Sequence, residues 1–450
     1  MTVTVRFAPS PTGKLHVGNI RAALMNWLLA KREGGVFLLR MDDTDQDRSE
    51  AAYEEAIKTD LAWLGLTHDR FERQSARFAD YDAAADDLKK RGLLYPCYET
   101  AEELERKRRL QRTRGAPPVY DRAALDLSQA DRAALEAEGR RPHWRYKLSG
   151  APATWMDLIR GPASVDTKSV SDPVLIREDG AYLYTLPSVV DDIAFGITHI
   201  VRGEDHVTNT GVQIEIFRAL GAEPPAFAHH SLLVGADGEA LSKRIGSLGV
   251  ERFREEGLEP MAVLSLMAKI GTSDPVEPRA SAEALAADFD FAKIGRAPAR
   301  FDIKELQGLN AKLLHETPFA AVADRLAAMD AGSDAGLDPE AFWLAVRGNL
   351  ERIGDVSLWR RVVLGPVEPA IDDAAFLDDA LQLFPDGPLD TESWGAWTGA
   401  VKAKTGAKGR ALFMPLRKAL TGEERGPDMA ALLPLIGPER AKARLSGETA

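Results

Sequence analysis

The N-terminal stretch of the chain determines its fold class. Residues 2–45 read TVTVRFAPSPTGKLHVGNIRAALMNWLLAKREGGVFLLRMDDTD. Alternating apolar and polar residues over 3–7 predict a strand, and the two prolines in 8–13 end it because they fix φ and remove amide donors. Apolar side chains over 20–28 recur with helical spacing, and the nearly all-apolar run 36–41 is typical of a strand covered on both faces. This order predicts a βαβ unit of a parallel sheet.

The rest of the chain predicts more strands and a helical C-terminal region. A charged, Ala-rich stretch over about 88–170 breaks the pattern, so we interpret it as an inserted subdomain. Strand patterns resume at 174–176 and 197–201, and 231–234 resembles a last strand. Beyond residue 250 helical periodicity dominates. The sequence therefore predicts an α/β fold with a Rossmann-like parallel sheet, an insertion and an all-α C-terminal part.

Composition excludes several classes of protein. The chain has 450 residues, of which 45% are apolar and 28% charged, as in a globular protein rather than a disordered one. The net charge of −12 means that phosphate binding requires a local basic face. No apolar run reaches the roughly 18 residues of a membrane span, and no secretory signal is visible. With one cysteine, no internal disulfide forms, which predicts a protein of the reducing cytoplasm.

Two loops carry residues suited to a nucleotide. The first, residues 9–19, lies between the first strand and helix, where backbone amides and the helix dipole favour an anion. Here His16 can donate to a phosphate oxygen, and Gly18 lets a base approach the backbone. The second loop, residues 235–244, is Gly-containing and ends with a hydroxyl and two cations at 242–244, which predicts a mobile clamp on pyrophosphate. Each loop by itself would also fit an ordinary surface turn.

Together the two loops resemble the two signatures of class I aminoacyl-tRNA synthetases. The first is Pro9-Ser10-Pro11-Thr12-Gly13 with His16-Val17-Gly18-Asn19, and the second is Ala240-Leu241-Ser242-Lys243-Arg244. The two signatures are separated by more than 220 residues, and the first contains Ser-Pro-Thr-Gly. Both features are similar to those of the bacterial glutamyl branch. Further matches are residues 6–13, 40–45, 189–192, 201–206 and 409–413.

The resemblance implies a ligase that attaches L-glutamate to tRNA-Glu in two steps, ATP-dependent formation of glutamyl-adenylate and acyl transfer to the 3′-terminal ribose. It implies Mg²⁺ with ATP, a monomer, and catalytic roles for His16 and Lys243. The implied ATP-binding residues are Pro9, Ser10, Gly13, His16, Gly18, Asn19, Leu241, Ser242, Lys243 and Arg244. The implied glutamate-binding residues are Arg6, Ser10, Asp42, Tyr184 and Arg202, with the arginines suited to carboxylates because their fork binds them bidentately.

A tRNA partner would explain two basic runs of the sequence. In the family the insertion contacts the acceptor end and the C-terminal helices read the anticodon. The implied tRNA-binding residues are Arg106, Arg109, Arg112, Lys402, Lys408, Arg410 and Arg417. Phe413 or Trp397 could stack an unpaired base, although we expect both to be buried. The expected domains are 1–88 and 173–250 for the catalytic halves, 89–172 for the insertion, 251–310 for a stem-contact region and 311–450 for the anticodon-binding domain.

The chain departs from the family pattern at several positions. Asn19 stands in place of the second His of the first signature, and Ala240 and Arg244 replace a Lys and a Ser of the second. Asp42 stands where many glutamyl enzymes carry Glu, one methylene longer. Some relatives hold zinc in the insertion through cysteines, and with Cys97 alone we expect no zinc here.

Three alternatives to this interpretation remain open. A nucleotidyltransferase with the same kind of site would join a nucleotide to a small phosphoester, but would leave the C-terminal helices without a purpose. A non-catalytic tRNA-binding relative is disfavoured by the intact His16, Gly18 and Lys243. The third alternative is the same chemistry directed partly or wholly at tRNA-Gln, which charge and motifs do not separate because anticodon readout depends on spatial geometry.

Overall fold

The computed structural model of the chain describes residues 2–239, 241, 249–329 and 336–450. It divides into two units, one of Met1–Phe253 with Val263–Asp302, the other of Arg254–Ala262 with Ile303–Ala450. The finer division into five parts stays a prediction.

The first sheet contains the predicted βαβ unit. Its strands β1 (Thr4–Phe7), β2 (Val36–Met41) and β3 (Arg70–Arg73) are parallel and lie in that order. Helix α1 (Val17–Arg32) connects β1 to β2, and helix α2 (Ala51–Trp63) connects β2 to β3. Parallel strands joined by helices place the start of each helix at the carboxyl edge of the sheet, where ligands bind in such folds.

Strand β1 is buried along its whole length, including the polar residues of its alternating pattern. Thr4 and Arg6 are only 9% and 4% exposed. Each has a polar partner inside the unit, since the backbone N–H of Thr198 donates to the Thr4 carbonyl at 2.9 Å and Arg6 pairs with Asp192. A buried polar group is tolerated when it is hydrogen-bonded, so here the polar positions mark paired interior groups.

A second sheet adjoins the first through the Thr198–Thr4 hydrogen bond. Its strand order is β7-β6-β10-β9, with β10 parallel to β6 and β9, and β7 antiparallel to β6. The strands are β6 (Pro152–Asp157), β7 (Gly161–Asp166), β9 (His199–Gly203) and β10 (Ala226–His230). Helices α6 (Thr185–Ala194) and α7 (Val207–Ala219) precede and follow β9. Although β6 and β7 fall inside the expected insertion, β6 pairs with β10.

The predicted strand at 231–234 is displaced along the chain. The structure has β10 at Ala226–His230 and a short β11 at Leu233–Gly235. A hydropathy pattern does not predict β10, because the strand ends in two polar residues, His229 and His230. Both are nevertheless buried, with exposed fractions of 0% and 4%. Strand β11 pairs in parallel with β12 (Ala299–Phe301).

Two strands of the expected insertion form an antiparallel sheet with the strand predicted at 174–176, which lies beyond the expected end of the insertion, in the order β4-β5-β8. Its strands are β4 (Leu94–Cys97), β5 (His143–Tyr146) and β8 (Val174–Ile176). The helices along this part of the chain are α3 (Phe78–Lys90), α4 (Ala101–Thr113) and α5 (Gln129–Ala137). Helix α4 begins with a capping box in which Oγ1 of Thr100 accepts the N–H of Glu103 and Oε2 of Glu103 accepts the N–H of Thr100. This cap fixes the start of the basic helix.

Beyond residue 250 the described residues are mostly helical, as expected. Three helices follow at α8 (Val250–Glu255), α9 (Pro260–Lys269) and α10 (Ala282–Asp288). The C-terminal helices are α11 (Ile303–Glu316), α12 (Ala323–Met329), α13 (Pro339–Val346), α14 (Val356–Leu364), α15 (Ala374–Gln382), α16 (Ser393–Thr405), α17 (Arg410–Thr421), α18 (Met429–Ile436) and α19 (Pro438–Leu445). Buried Arg444 ties three of them together, because its Nη1 donates to the carbonyls of Val362 and Leu420 at 2.7 Å each.

Candidate active site

A cleft of about 480 Å³ opens in the first unit where strands of both sheets end. Strand β1 contributes Arg6, β2 is followed by Asp42, β9 contributes Arg202 and β10 ends at His230. The loop between β1 and α1 contributes His16 to the same cleft. Two sheets and a helix start therefore converge on one ligand-sized space.

Most of the predicted ATP- and glutamate-binding residues line this cleft. They are Arg6, Pro9, Ser10, His16, Gly18, Asn19, Asp42, Tyr184 and Arg202. Gly13 and Leu241 are not among its lining residues, and Ser242, Lys243 and Arg244 lie outside the described residues. A second cleft of about 700 Å³ shares Ser10, Asp42 and Tyr184 with the first.

His16 is the N-cap of α1, and its ring orientation is fixed by the backbone. The N–H of Gly18 donates to Nδ1 of His16 at 3.1 Å, and Oδ1 of Asn19 accepts the N–H of His16 at 3.2 Å. Burial lowers the pKa of His16, so the imidazole is neutral at pH 7. Because Nδ1 accepts, the proton resides on Nε2, which makes that atom a hydrogen-bond donor.

This cap explains two residues of the first loop, of which Asn19 departs from the family pattern and Gly18 keeps it. Asn19, which replaces the second His of the signature, closes the capping box instead of presenting an imidazole. A Cβ at Gly18 would lie 3.0 Å from Cε1 of His16, so glycine at this position lets the histidine fold back onto the helix start. The cap therefore leaves the Nε2–H group of His16 as a donor that can face a ligand.

A buried network of arginines and aspartates forms the wall beside Asp42. Nε of Arg6 lies 3.1 Å from Oδ1 of Asp192, and Nη1 of Arg40 lies 2.9 Å from the same oxygen. Arg40 also binds Asp42 and donates to Oγ of Ser188 at 3.1 Å. Burial acts to lower the pKa of Arg40, but the surrounding carboxylates outweigh it and hold that pKa well above its usual range. Arg40 therefore keeps its positive charge, whereas burial outweighs the neighbouring arginines at Asp42 and raises the pKa of that carboxyl.

Arg202 and Tyr184 form the facing side of the cleft. Nη1 of Arg202 donates to the Tyr184 hydroxyl at 3.0 Å, and Arg202 is 6% exposed. Burial acts to raise the pKa of Tyr184, but the positive charges of Arg202 and Arg6 outweigh it and lower that pKa. Such a pair attracts an anion, which agrees with the carboxylate-binding role that the sequence predicts.

The structure adds cleft residues to which the sequence analysis assigned no role in binding. His206 contacts Tyr184 with ring centroids 5.9 Å apart, and Asn26 donates to the Val201 carbonyl at 2.9 Å while its Oδ1 has no described partner. Asn26 left a usable signal, since it is a polar residue on the apolar face of α1. Arg40, at the centre of the buried network, could have been noticed in the same way, because it is a charged residue inside an otherwise apolar strand.

The predicted tRNA-binding residues of the insertion lie on an exposed helix face. Arg106, Arg109 and Arg112 are exposed on α4. Glu105, the acid of this run, pairs with Arg109 at 3.7 Å and Arg112 at 3.5 Å. Exposed ion pairs of this kind contribute little stability, so these guanidinium groups are available to phosphates.

The C-terminal basic run is also largely at the surface. Lys402, Lys408 and Arg410 are exposed, whereas Arg417 is half-buried and donates to the Pro427 carbonyl at 2.8 Å. This contact makes Arg417 the least accessible cation of the four.

Two aromatic residues of the same region differ in burial. Trp397 is buried as expected, and its Nε1 donates to the Ala380 carbonyl at 2.9 Å. Phe413 was expected to be buried as well, but it is 45% exposed. Phe413 lies on the solvent side of α17, because the buried side of this helix carries residues such as Leu412 and Leu416. Its ring contacts that of Trp394, with ring centroids 6.3 Å apart.

One cluster of metal-type ligands lies in the insertion. Cys97, Glu99 and His143 place one ligand atom each within 4.8 Å of one another. Oε2 of Glu99 and Nε2 of His143 have no hydrogen-bond partner among the described residues. The number of cysteines in the sequence does not predict this cluster. His143 is distant from Cys97 in the sequence and lies beside it only because strands β4 and β5 pair. Burial raises the pKa of the Cys97 thiol to about 11, and the absence of bound zinc stays a prediction.

Comparison with known proteins identifies the family. Residues 2–308 match the family model described as tRNA synthetases class I (E and Q), catalytic domain, and residues 371–447 match an anticodon binding domain. Within the described residues, no helix combines the length and the apolar character needed to cross a bilayer.

Two curated relatives and one solved structure match nearly the whole chain. Glutamate–tRNA ligase 2 of Hyphomonas neptunium is 61% identical over 98% of this chain and 99% of its own, and glutamate–tRNA ligase 1 of Maricaulis maris is 58% identical over 99% of both. A crystal structure of a glutamate tRNA ligase from Elizabethkingia meningosepticum, in complex with its amino acid, has a TM-score of 0.85 at 27% identity and covers 99% of this chain and 98% of its own. With the family model spanning residues 2–308, these matches show that the chain belongs to the class I tRNA synthetases for glutamate and glutamine.

Proposed function

We propose that the protein is a glutamate–tRNA ligase that activates L-glutamate with ATP and transfers the glutamyl group to the 3′-terminal ribose of tRNA-Glu. The observation that carries this proposal is one cleft that joins the His16 loop to Arg6, Asp42, Tyr184 and Arg202. The catalytic family and the relatives support the same activity.

The first step needs positioning more than acid–base chemistry. An oxygen of the glutamate α-carboxylate attacks the α-phosphorus of ATP, the bond to the bridging oxygen breaks, and pyrophosphate leaves with the electron pair. The nucleophile is already ionised at pH 7. The site must therefore hold the two substrates in line and stabilise the phosphate charge. His16 does this with its Nε2–H donor, and Lys243 is the proposed cation of the second loop.

Magnesium enters this proposal as the partner of ATP. Mg²⁺ prefers oxygen ligands, keeps several waters and usually binds through substrate phosphates with one or two carboxylates. Asp205 is an exposed carboxylate that lines the cleft, so its chemistry fits that ion. Bound Mg²⁺ would neutralise charge on the leaving pyrophosphate.

Glutamate has two negative groups and one positive group, and the cleft offers partners for each. Asp42 is the proposed partner of the α-ammonium group, with Ser10 beside it. Arg6 and Arg202 are the proposed partners of the carboxylates. Both arginines are buried, and each is held by its neighbours, so a bound carboxylate meets fixed donors rather than flexible surface cations.

Binding of tRNA would account for the presence of the C-terminal helices. The anticodon-binding match over 371–447 coincides with the predicted anticodon-reading run and weighs against the simpler nucleotidyltransferase. We propose that Arg106, Arg109 and Arg112 bind the acceptor end, and that Lys402, Lys408, Arg410 and Arg417 lie on the anticodon side. A monomer in the cytoplasm, with its one cysteine buried and reduced, completes the proposal.

Aminoacylation assays test the function directly. Purified tRNA-Glu and tRNA-Gln are each offered with glutamate and with glutamine, and we expect glutamylation of tRNA-Glu. Glutamylation of tRNA-Gln alone would redirect the proposal to that tRNA, and no acylation of either would overturn it. Lys243→Ala should fold and bind tRNA but lose ATP–pyrophosphate exchange in the presence of tRNA, whereas near wild-type exchange would remove Lys243 from the mechanism.

A further inference from the structure

The guanidinium of Arg202 is almost fully occupied before any ligand binds. Its Nε donates to Nε2 of His229 at 3.3 Å and its Nη1 to the hydroxyl of Tyr184 at 3.0 Å. Its Nη2 donates to Oγ1 of Thr210 at 2.6 Å and to Oε1 of Gln213 at 2.7 Å. A guanidinium has five N–H donors, so within the described part of the chain one remains, on Nη1.

The hydrogen bond from Arg202 to His229 requires one tautomer of the imidazole. Nδ1 of His229 lies 2.5 Å from Oδ2 of Asp157, and both side chains are fully buried. Burial acts to raise the pKa of Asp157, but hydrogen bonds from His229 and from backbone N–H groups outweigh it and lower that pKa, so the carboxylate is ionised. A proton must therefore lie on Nδ1, between the ring and this carboxylate.

The contact with Arg202 then requires the other ring nitrogen, Nε2, to act as an acceptor. Nε2 of His229 faces the Nε–H group of Arg202. Oγ1 of Thr210 accepts from Arg202, and its own hydrogen has two acceptors within reach, Nε2 of His229 at 2.9 Å and the His206 carbonyl at 3.3 Å. A proton on Nε2 would direct a donor at the donor of Arg202. Burial lowers the pKa of His229, which agrees with a neutral ring.

We infer that His229 is a positioning residue for substrate selection: held by Asp157 as the Nδ1–H tautomer, it orients Arg202 so that one N–H of Arg202 and the hydroxyl of Tyr184 face the substrate side-chain carboxylate together. This inference rests on the proposed function. The Tyr184 oxygen already accepts from Arg202, so its own hydrogen is the part left to offer a ligand. The pair is therefore made of donors on both sides.

A pair made only of donors separates glutamate from glutamine by hydrogen-bond type. Both oxygens of a carboxylate accept, so both donors are satisfied. A glutamine side chain offers one acceptor and an NH₂ group, and that NH₂ group would meet a donor. Rejection by unpaired polar groups discriminates far more strongly than shape does. Rotation of Arg202 would disturb this arrangement, and the His229 link on Nε opposes such rotation.

Two substitutions distinguish the hydrogen bond from Arg202 to His229 from the space that the imidazole fills. In His229→Gln the side-chain amide extends to the position of Nε2, where its oxygen can accept from Arg202. In His229→Asn the amide reaches only the position of Nδ1, so the contact with Asp157 is kept and the contact with Arg202 is lost. We expect His229→Asn to raise the KM for glutamate by about tenfold or more and to narrow the preference for glutamate over glutamine. His229→Gln loses the contact with Asp157 but keeps the one with Arg202, so its KM for glutamate and its preference for glutamate should stay closer to wild type than those of His229→Asn, and neither variant should change the KM for ATP.

The measurement is kcat/KM for both amino acids with tRNA-Glu, alongside thermal unfolding of each variant. Equal losses in the two variants, or an unchanged KM for glutamate in His229→Asn, would overturn the inference. A wild-type protein that does not glutamylate tRNA in this assay would instead contradict the proposed function. Imidazole ¹⁵N spectra of the wild-type protein give an independent check without a variant, because Nδ1 of His229 must be protonated and Nε2 not. The opposite tautomer would also overturn the inference.

Discussion

Arg40 holds the carboxylate of Asp42 through two hydrogen bonds, from Nε to Oδ1 at 2.6 Å and from Nη2 to Oδ2 at 3.1 Å. The two side chains are only 1% and 6% exposed. A two-bond pair between planar groups fixes the plane of the carboxylate as well as its distance. Asp42 therefore faces the cleft in one orientation, and the shorter acid at this position remains usable because Arg40 holds it in place.

Replacing Asp42 by Asn should weaken glutamate binding selectively. The amide keeps the size of the side chain but removes the negative charge that we assign to the α-ammonium group, and its NH₂ group faces the donors of Arg40. A hydrogen bond to a charged group is worth about 1.5–3 kcal/mol, so we expect the KM for glutamate to rise about 10- to 150-fold. Steady-state aminoacylation measures this, with Asp43→Asn as the control, because Asp43 accepts from Ser75 and does not line the cleft. Parallel rises in the KM for ATP and for glutamate would argue against the assignment.

Asn at position 16 should preserve the N-cap of α1 but should not support catalysis. In His16→Asn the side-chain oxygen can still accept from the backbone at the start of α1, whereas the Nε2–H donor is lost. We expect about 10²- to 10³-fold slower adenylate formation with unchanged stability, as for loss of one transition-state donor. His16→Ala should show the same loss of rate and in addition unfold about 1 kcal/mol more easily. Near wild-type activity of His16→Asn would mean that the imidazole does not contact the reacting phosphate.

The stability of the protein should fall between pH 6.5 and 5 because of buried neutral histidines. Burial lowers the pKa of His230 to about 3. A histidine has a pKa of about 6.5 in the unfolded chain, so the unfolded state takes up a proton first as the pH falls. Stability is therefore lost below pH 6.5, by about 1.4 kcal/mol per pH unit for each such group.

Urea unfolding at pH 7 and pH 5 measures this loss. In His230→Gln the slope of unfolding free energy against pH should fall by about the uptake of one proton. Identical pH dependence in wild type and His230→Gln would contradict the prediction.

The early part of the site was predictable because its signals are local. The strand, the proline turn and the start of α1 lie within residues 4–19, so the His16 loop follows from the order of residues alone. Arg40 and His229 were not predictable in this way. Their partners Asp192 and Asp157 are 152 and 72 residues away in the sequence, and a buried charge can be interpreted as paired only when the fold brings its partner to it.

Zinc should be dispensable despite the cluster in the insertion. The described donors are one thiol, one carboxylate and one imidazole, whereas structural zinc usually takes four ligands, mostly thiolates and imidazoles. The thiolate is the form that binds metal, and burial raises the pKa of Cys97 to about 11. We expect EDTA treatment followed by Mg²⁺ to restore full activity, and Cys97→Ser to match wild type. One zinc per chain by elemental analysis, lost in His143→Gln, would show that the cluster is a metal site.

The last prediction concerns the surface around Phe413 in the C-terminal region. Phe413 is 45% exposed beside the exposed cation Arg410, and an aromatic ring next to a cation is the combination on which unpaired bases stack. Loss of one stacked base costs about 1–3 kcal/mol, so Phe413→Ala should raise the KM for tRNA about 5- to 150-fold. The KM for ATP should not change, because Phe413 does not line the cleft that we assign to ATP.

Leu344→Ala is the matched control for this test, since Leu344 is 50% exposed in the same unit of the chain but lies outside the basic run. Arg410→Ala should lower the affinity for tRNA and also flatten its dependence on salt, because one phosphate contact is lost. Binding titrations at several salt concentrations separate the two effects, since a stacking residue shifts affinity at every salt concentration without changing the slope. If Phe413→Ala behaved like Leu344→Ala, the anticodon would have to be read on another face of these helices, and the exposure of Phe413 would have no part in recognising tRNA.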